Sequence, residues 1–324
     1  MNIKFFFLII LNNIFFVYFF NLIAKKINLY DFPNTKRKIH KTKIAPLGGL
    51  LILINIIFYY ILNYFNGLVE NILLLTVSII FFIIGYLDDK YNIQAVKRLF
   101  LSIFIIIFLL TVDSNILIKS LNISYINTTI EFNFFTGLLF SVFCIVVFLN
   151  AFNFFDGINL QSGIYSLFIF SIFVFKSYNT NISISVIISI IFFLYLNYKN
   201  LCFLGNSGSL LLGFIISYFC IDAYNKNIIS VDEIFLIMLI PGIDLVRLFF
   251  QRIINGYSPM TPDNHHLHHY LLSRYNLIKT NIILGLLIIF PTLFNLFLGK
   301  NFTLYIIICN ILCYFLIIFK LKKI

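Results

Sequence analysis

Charge is scarce in this chain: Asp, Glu, Lys and Arg make up 11% of its 324 residues, against 61% hydrophobic and 19% aromatic side chains. With a mean hydropathy of +1.01, there is too little polar surface to cover a soluble globule, and the chain reads as an integral membrane protein. Paired cysteines are also missing. Cys144, Cys202, Cys220, Cys309 and Cys313 lie in or beside apolar runs with no recurring spacing, which argues against a disulfide framework or a cysteine zinc site and leaves them as small apolar side chains. No polar stretch is long enough for an inserted soluble domain, since the longest, Ala24 to Pro46 and Gln251 to Lys279, run to about 23 and 29 residues. The first apolar run ends in Ala24, Lys25 and Lys26 without a small-residue cleavage site, so it reads as a retained helix rather than a signal peptide. One membrane domain over residues 1–324 is expected, with no convincing internal repeat.

Apolar runs, by contrast, are abundant. A bilayer core of about 30 Å needs about 20 apolar residues per helix. Eleven segments approach that length, roughly 3–23, 47–65, 71–87, 99–112, 134–149, 164–176, 183–196, 208–221, 234–248, 280–297 and 303–319. The expected fold is all-α, a polytopic membrane bundle of about eleven transmembrane helices. Placing the amino terminus outside and the carboxyl terminus in the cytoplasm puts eighteen of the 23 Lys and Arg residues inside and only Lys4, Lys119, Lys176, Lys226 and Lys300 outside. That is a strong positive-inside bias. The net charge of +11 is mostly this bias and requires no nucleic acid. Asp31, Asp88, Asp89, Asp156, Asp244 and Asp263 fall on the inner side, as do all 5 histidines. Five of these acids and all the histidines lie in five polar stretches, DFPNTKRKIH, GYLDDKYNI, NAFNFFDGINLQSG, FLGNSGS and PDNHHLHH. This topology brings all five stretches to one membrane face, where they can assemble one anion-handling and metal-handling site.

Each stretch has its own chemistry. The adjacent carboxylates of Asp88 and Asp89 repel unless a cation lies near them, and magnesium, which couples carboxylates to phosphate oxygens, is the natural candidate. Two acids ending a helix in water would look the same. Asn150, Asn153 and Asp156 recur every third residue and would form one polar stripe near the cytoplasmic end of the fifth span. Such groups on an apolar helix are costly unless they face protein groups or a ligand, although they could instead cap the helix, with Gly157 supplying the turn. Small residues from Gly205 through Ser207 to Ser209 open the eighth span, where free N–H groups and the helix dipole attract an anion. An ordinary N-cap explains that run equally well. His265, His266, His268 and His269 have no accompanying Cys or Glu, and neighbours on one turn cannot all reach one ion. A phosphate-contacting or nucleotide-contacting cluster fits them better than zinc, the bland alternative being a histidine-rich surface loop. Lys36, Arg37, Lys38, His40, Lys41 and Lys43 form a basic loop suited to anionic headgroups or simply to orientation. Gly48 and Gly49 behind it suggest close backbone packing.

In this order and topology, GYLDD at 85–89, NAFNFFDG at 150–157, FLGNSGS at 203–209 and HHLHH at 265–269 resemble the polyprenyl-phosphate N-acetylhexosamine-1-phosphate transferase family. That family is polytopic with a cytoplasmic active site in the bacterial inner membrane. The resemblance implies transfer of a sugar-1-phosphate from a UDP-linked N-acetylated sugar to undecaprenyl phosphate, with release of UMP. It also implies a magnesium cofactor, with manganese as an alternative. By the same resemblance Asp88, Asp89 and Asp156 are the catalytic acids, and Asp88, Asp89, Asn153 and Asn206 stand where the metal is held. Arg37, Lys38, His40, Asn150, Asn153, Asn159, Gly205, Ser207, His265, His266, His268 and His269 correspond to substrate-binding positions. Membrane lipids are the surroundings, and a large lipid-facing surface makes a homodimer plausible.

Two positions depart from the family pattern. Where relatives have DGxDG, this chain has Asp156, Gly157, Ile158, Asn159 and Leu160, an amide in place of the second acid. More important is Asn206, where the family places an aspartate that ligates magnesium. An amide oxygen can still ligate, but without the formal charge it holds the ion more weakly. A catalytically impaired member that binds lipid and nucleotide without turnover is therefore the alternative expectation. A secondary transporter is disfavoured, because ionisable residues at helix centres and inverted repeats are not evident.

Overall fold

The computed structural model describes residues 3–33, 40, 42–65, 71–123, 128–259 and 263–322. Their helices are α1 (Ile3–Tyr18), α2 (Phe20–Ile27), α3 (Gly48–Phe65), α4 (Ile72–Tyr91), α5 (Ala95–Val112), α6 (Phe134–Phe155), α7 (Gln161–Phe175), α8 (Thr180–Tyr198), α9 (Gly205–Asn225), α10 (Val231–Ile254), α11 (Leu267–Leu272), α12 (Leu277–Leu298) and α13 (Thr303–Lys322). A small antiparallel hairpin, β1 (Ser120–Ile123) with β2 (Thr128–Glu131), joins α5 to α6. Every expected span overlaps a helix. Among the described residues seven helices are long and apolar enough to cross a membrane, or eight if α1 and α2, bent by 64° at their junction, form one span. This is a multi-pass helical membrane protein. Helices α3 and α7 are apolar but shorter, and α10 carries Asp232, Glu233, Asp244, Arg247 and Arg252 along its length.

Asparagine marks many of the helix ends. The side chains of Asn71, Asn133 and Asn276 accept the N–H groups of Leu74, Thr136 and Lys279 at the starts of α4, α6 and α12, the usual N-cap arrangement. Asn28, Asn92, Asn179, Asn200 and Asn227 adopt the left-handed conformation, which asparagine tolerates better than most residues. In α10 the opening is a capping box between Ser230 and Glu233.

The chain divides into two compact units that alternate along the sequence, Met1–Ile105 with Ser162–Ile216, and Ile106–Gln161 with Ser217–Ile324. In the first, α1, α3 and α8 pack on one another and α3 packs on α4. Asn12 and Asn13 of α1 both donate to the Asn55 carbonyl at 3.0 Å, and Asn55 returns a bond to Asn13. Asn13 and Asn55 are fully buried, so these amides satisfy one another where no water can. In the second unit α10 packs against α6 and α12, and α11 against α12 and α13. There Tyr224 bridges to the hairpin, donating to the Ser120 carbonyl and accepting from the Asn122 N–H.

Candidate active site

The acidic pair belongs to the first unit, where close backbone contact sets its position. Asp31 pairs with Ile44, and Ala45 runs alongside Cys202. Phe203 donates to Ala45, and the Gly48 and Gly49 N–H groups then bond the carbonyls of Phe203 and Leu204. This zipper carries the start of α9 to the start of α3. A Cβ on Gly49 would lie 2.4 Å from the Gly208 nitrogen, and one on Gly85 would lie 2.3 Å from the Asn206 carbonyl oxygen. Only glycine permits such approaches.

Asp89 ends up against the α9 amino terminus. Its two oxygens accept the Asn206 N–H at 2.8 Å and the Ser207 N–H at 3.0 Å. These are the N–H groups that the small-residue run exposes, and the anion they hold is the protein's own carboxylate, drawn there by unpaired donors and the helix dipole. Asp88, 4% exposed, faces elsewhere and pairs with Arg98 of α5 at 2.5 Å. His40 bonds Asp31 at 3.0 Å and the Thr42 carbonyl at 2.7 Å. Arg37 and Lys38 lie outside the described residues.

The histidines and the Asn150 stripe belong to the second unit. Asn150 folds back on the Val146 carbonyl, Asn153 occupies the last turn of α6, and Asp156 is its C-cap. The stripe therefore runs one residue past the helix. The Asn159 carbonyl accepts from Asn281, which fixes the turn before α7. His266 caps α11, with its ring stacked on His268 at 5.3 Å and 7°, and His269 lies 4.4 Å from His268. A Cβ on Gly157 would lie 2.0 Å from His268 Nε2, so the glycine after Asp156 makes room for the imidazole. Burial, together with the neighbouring charges of His269 and His266, holds the His268 pKa well below its ordinary value of 6.5. It is neutral at pH 7.

Beneath the histidines lies a charge network that the motifs did not reveal. Asp244 accepts from His266 Nδ1 at 2.8 Å, Arg247 at 2.8 Å, Tyr314 at 2.6 Å and the Leu267 N–H at 3.2 Å. Arg247 also donates to the His265 carbonyl at 2.6 Å. Arg252 pairs with Asp263 at 2.7 Å and lies over the Phe154 ring at 5.7 Å. Burial would raise the Asp263 pKa, but hydrogen bonds from Arg252 and the His265 N–H, with the charges of Arg252 and His266, hold it below the ordinary carboxylate value. Asp244 and Arg247, three residues apart in an otherwise apolar run, were the one available signal. Nothing in the sequence joins Arg98 to Asp88 or Tyr314 to Asp244. Arg252 Nη2, His268 Nε2 and both polar atoms of Gln161 are buried without a protein partner.

Among the described residues no three His, Cys, Asp or Glu side chains gather as a metal cage. Asp89 meets the Asn206 N–H at the α9 terminus while its neighbour Asp88 is held by Arg98; carboxylate and carboxamide oxygens are hard donors, a chemistry that suits magnesium and not zinc.

The class that the fold defines is a multi-pass helical membrane protein, with an acidic pair in its first unit and a histidine cluster in its second. Residues 71–224 match the model of glycosyl transferase family 4. The chain is 29% identical over 303 residues to the undecaprenyl-phosphate alpha-N-acetylglucosaminyl 1-phosphate transferase of Thermotoga maritima, covering 91% of this chain and 90% of that one. Proteins of the same name from Escherichia coli O157:H7 and Yersinia pestis are each 26% identical, covering 79% and 77% of this chain and 72% and 71% of theirs. The chain is therefore similar to glycosyl transferase family 4 over residues 71–224 and to these undecaprenyl-phosphate transferases over most of its length.

Proposed function

We propose that this protein transfers a sugar-1-phosphate from a UDP-linked N-acetylated sugar to undecaprenyl phosphate at the cytoplasmic face of the bacterial inner membrane. This would be the first membrane step of a surface-polysaccharide or cell-wall glycan. The observation that carries the reading is the Asp88–Asp89 pair, with one acid locked on the α9 terminus and the other buried against Arg98. Backbone pairing fixes these groups before any substrate arrives, as electrostatic preorganisation requires. The named relatives, transferases acting on undecaprenyl phosphate, support the acceptor.

In the reaction an oxygen of the lipid phosphate attacks the sugar-bearing phosphorus of the donor. A new phosphoanhydride bond forms, the bond to the uridylyl phosphate breaks, and UMP leaves with that electron pair. A phosphate monoester has a second pKa of about 6, so the nucleophile is largely dianionic at pH 7 and needs little help from a base. Positioning and charge screening dominate. Asp88, Asp89 and Asn206, all in the first unit, would hold magnesium. When bound, the ion supplies positive charge to the phosphate oxygens. Arg98 orients Asp88, and the N–H groups of Asn206 and Ser207 orient Asp89. In the second unit the unpartnered Arg252 Nη2, His268 Nε2 and Gln161 carboxamide are buried groups whose missing partners a sugar nucleotide would supply.

The test is to incubate membranes containing the protein with undecaprenyl phosphate, magnesium and a panel of UDP-sugars, and to measure UMP and a new lipid product. The expected result is turnover with one N-acetylated donor. Asn206→Asp should lower the magnesium needed for half-maximal rate by about tenfold, one charged ligand being restored. Turnover with no donor in the natural chain, but appearing in Asn206→Asp, would mean that the natural protein is the impaired, binding form.

A further inference from the structure

We propose that Tyr314 is a positioning residue which, through Asp244, sets the orientation of His266. Asp244 divides its two oxygens. Oδ2 faces His266 Nδ1, while Oδ1 takes the Tyr314 hydroxyl, the Arg247 guanidinium and the Leu267 N–H. With Oδ1 so engaged the carboxylate is held in the rotamer that presents Oδ2 to the imidazole. A Nδ1–H bonded to Asp244 leaves His266 Nε2 as the nitrogen for any other partner.

Tyr314 has a double role in this arrangement. Its hydroxyl accepts from Arg247 Nε at 2.7 Å and donates to Asp244 at 2.6 Å, closing a triangle of phenol, guanidinium and carboxylate. The side chain is fully buried, so bulk water cannot replace the hydroxyl. Tyr314 comes from α13, well past residue 224, where the family match ends. The groups facing His266 are Asp244 and Arg247 from α10, Asp263 and His265 from the loop, His268, His269 and Tyr270 from α11, and Tyr314 from α13, with Arg252 behind Asp263. Asp244 is the only carboxylate bonded to the imidazole among the described residues. How much negative charge it offers depends on how much Tyr314 withdraws. Removing the phenol hydroxyl leaves Asp244 with more negative charge to offer and changes its bond to His266 Nδ1. The Nδ1 signal of His266 reports that change directly.

Only the kinetic arm of the test rests on the proposed transferase activity. Protein labelled with 15N-histidine has only five imidazoles, and the His266 signal is identified by its loss in His266→Asn. In Tyr314→Phe the His266 Nδ1 signal should move away from its wild-type position as the bond to Asp244 changes. Its kcat should fall about tenfold, as for loss of a hydrogen bond to a charged group, with KM within about twofold and the pH edge of the rate displaced. Incorporating 3-fluorotyrosine at position 314, a stronger donor of nearly the same shape, should move the signal the opposite way and keeps the test intact if Tyr314→Phe misfolds. The proposal is overturned if the His266 signals of the folded variants follow the wild type at every pH, or if kcat falls only with a lowered melting temperature and an unmoved pH edge. Absence of turnover in the wild type would count against the transferase reading alone, since the histidine signal decides the proposal without it.

Discussion

The acidic region around Asp88 and Asp89 and the histidine region around Asp244 and His266 are held by different means. In the first, backbone meets backbone: Gly49 lies against Gly208, Gly85 lies against Asn206, and Asp89 is bound by two main-chain N–H groups. In the second, side chains hold side chains, with Asp244 bonded by His266, Arg247 and Tyr314, and Arg252 bonded to Asp263. A site fixed by backbone cannot tolerate added atoms. One fixed by ionisable side chains tolerates more in shape and responds to protons.

The strongest way to break this contrast is Gly85→Ala. Its Cβ would press on the Asn206 main chain, which cannot swing away, and overpacking of that kind should cost about 3 kcal/mol or more and abolish turnover. Gly285 of α12, whose added Cβ would meet nothing nearer than 3.8 Å, is the control: Gly285→Ala should leave the detergent melting temperature unchanged or slightly raised. If both substitutions behave alike, the backbone account of the acidic region is wrong.

Arg98→Ala comes next. It strands the buried Asp88 charge and should cost about 3 kcal/mol, much of which Asp88→Asn in the same chain should recover. A melting curve for the double variant as low as that of Arg98→Ala would show that Arg98 contributes packing and not charge.

The smallest effect sharpens the other side of the comparison. Because burial depresses the folded-state pKa of His268 below 6.5, the unfolded chain binds a proton at higher pH than the folded one does. Its contribution to stability is complete above pH 6.5 and is lost progressively as pH falls below it. His268→Gln should therefore flatten the decline in melting temperature between pH 7 and pH 5 by about 2 °C. An unchanged slope would show that His268 titrates normally.

Much of this was legible beforehand, for stated reasons. The apolar runs predicted helix positions closely because every one of them had to satisfy the same solvent. The motif around Asn150, Asn153 and Asp156 was readable as a stripe because its period is helical, although its last member proved to be the cap. Histidine density marked the 265–269 segment but not what orients it. Asp89 was readable as an acid at a helix end, whereas its bond to the amide of residue 206 is not, since the partners lie 117 positions apart. Tyr314 carried no signal at all, being one aromatic among many in an apolar helix.

Composition and periodicity alone established a helical membrane protein and the location of its polar segments, and the motifs gave a resemblance to a transferase family, because hydrophobic length and residue spacing are local quantities. The tertiary structure alone decided that Asp89 caps α9, that Asp88 pairs with Arg98, that glycines form the contacts between helix ends and that Tyr314 reaches Asp244. Each of these depends on which distant groups share a few ångströms of low-dielectric space, and a linear chain does not encode that distance by spacing.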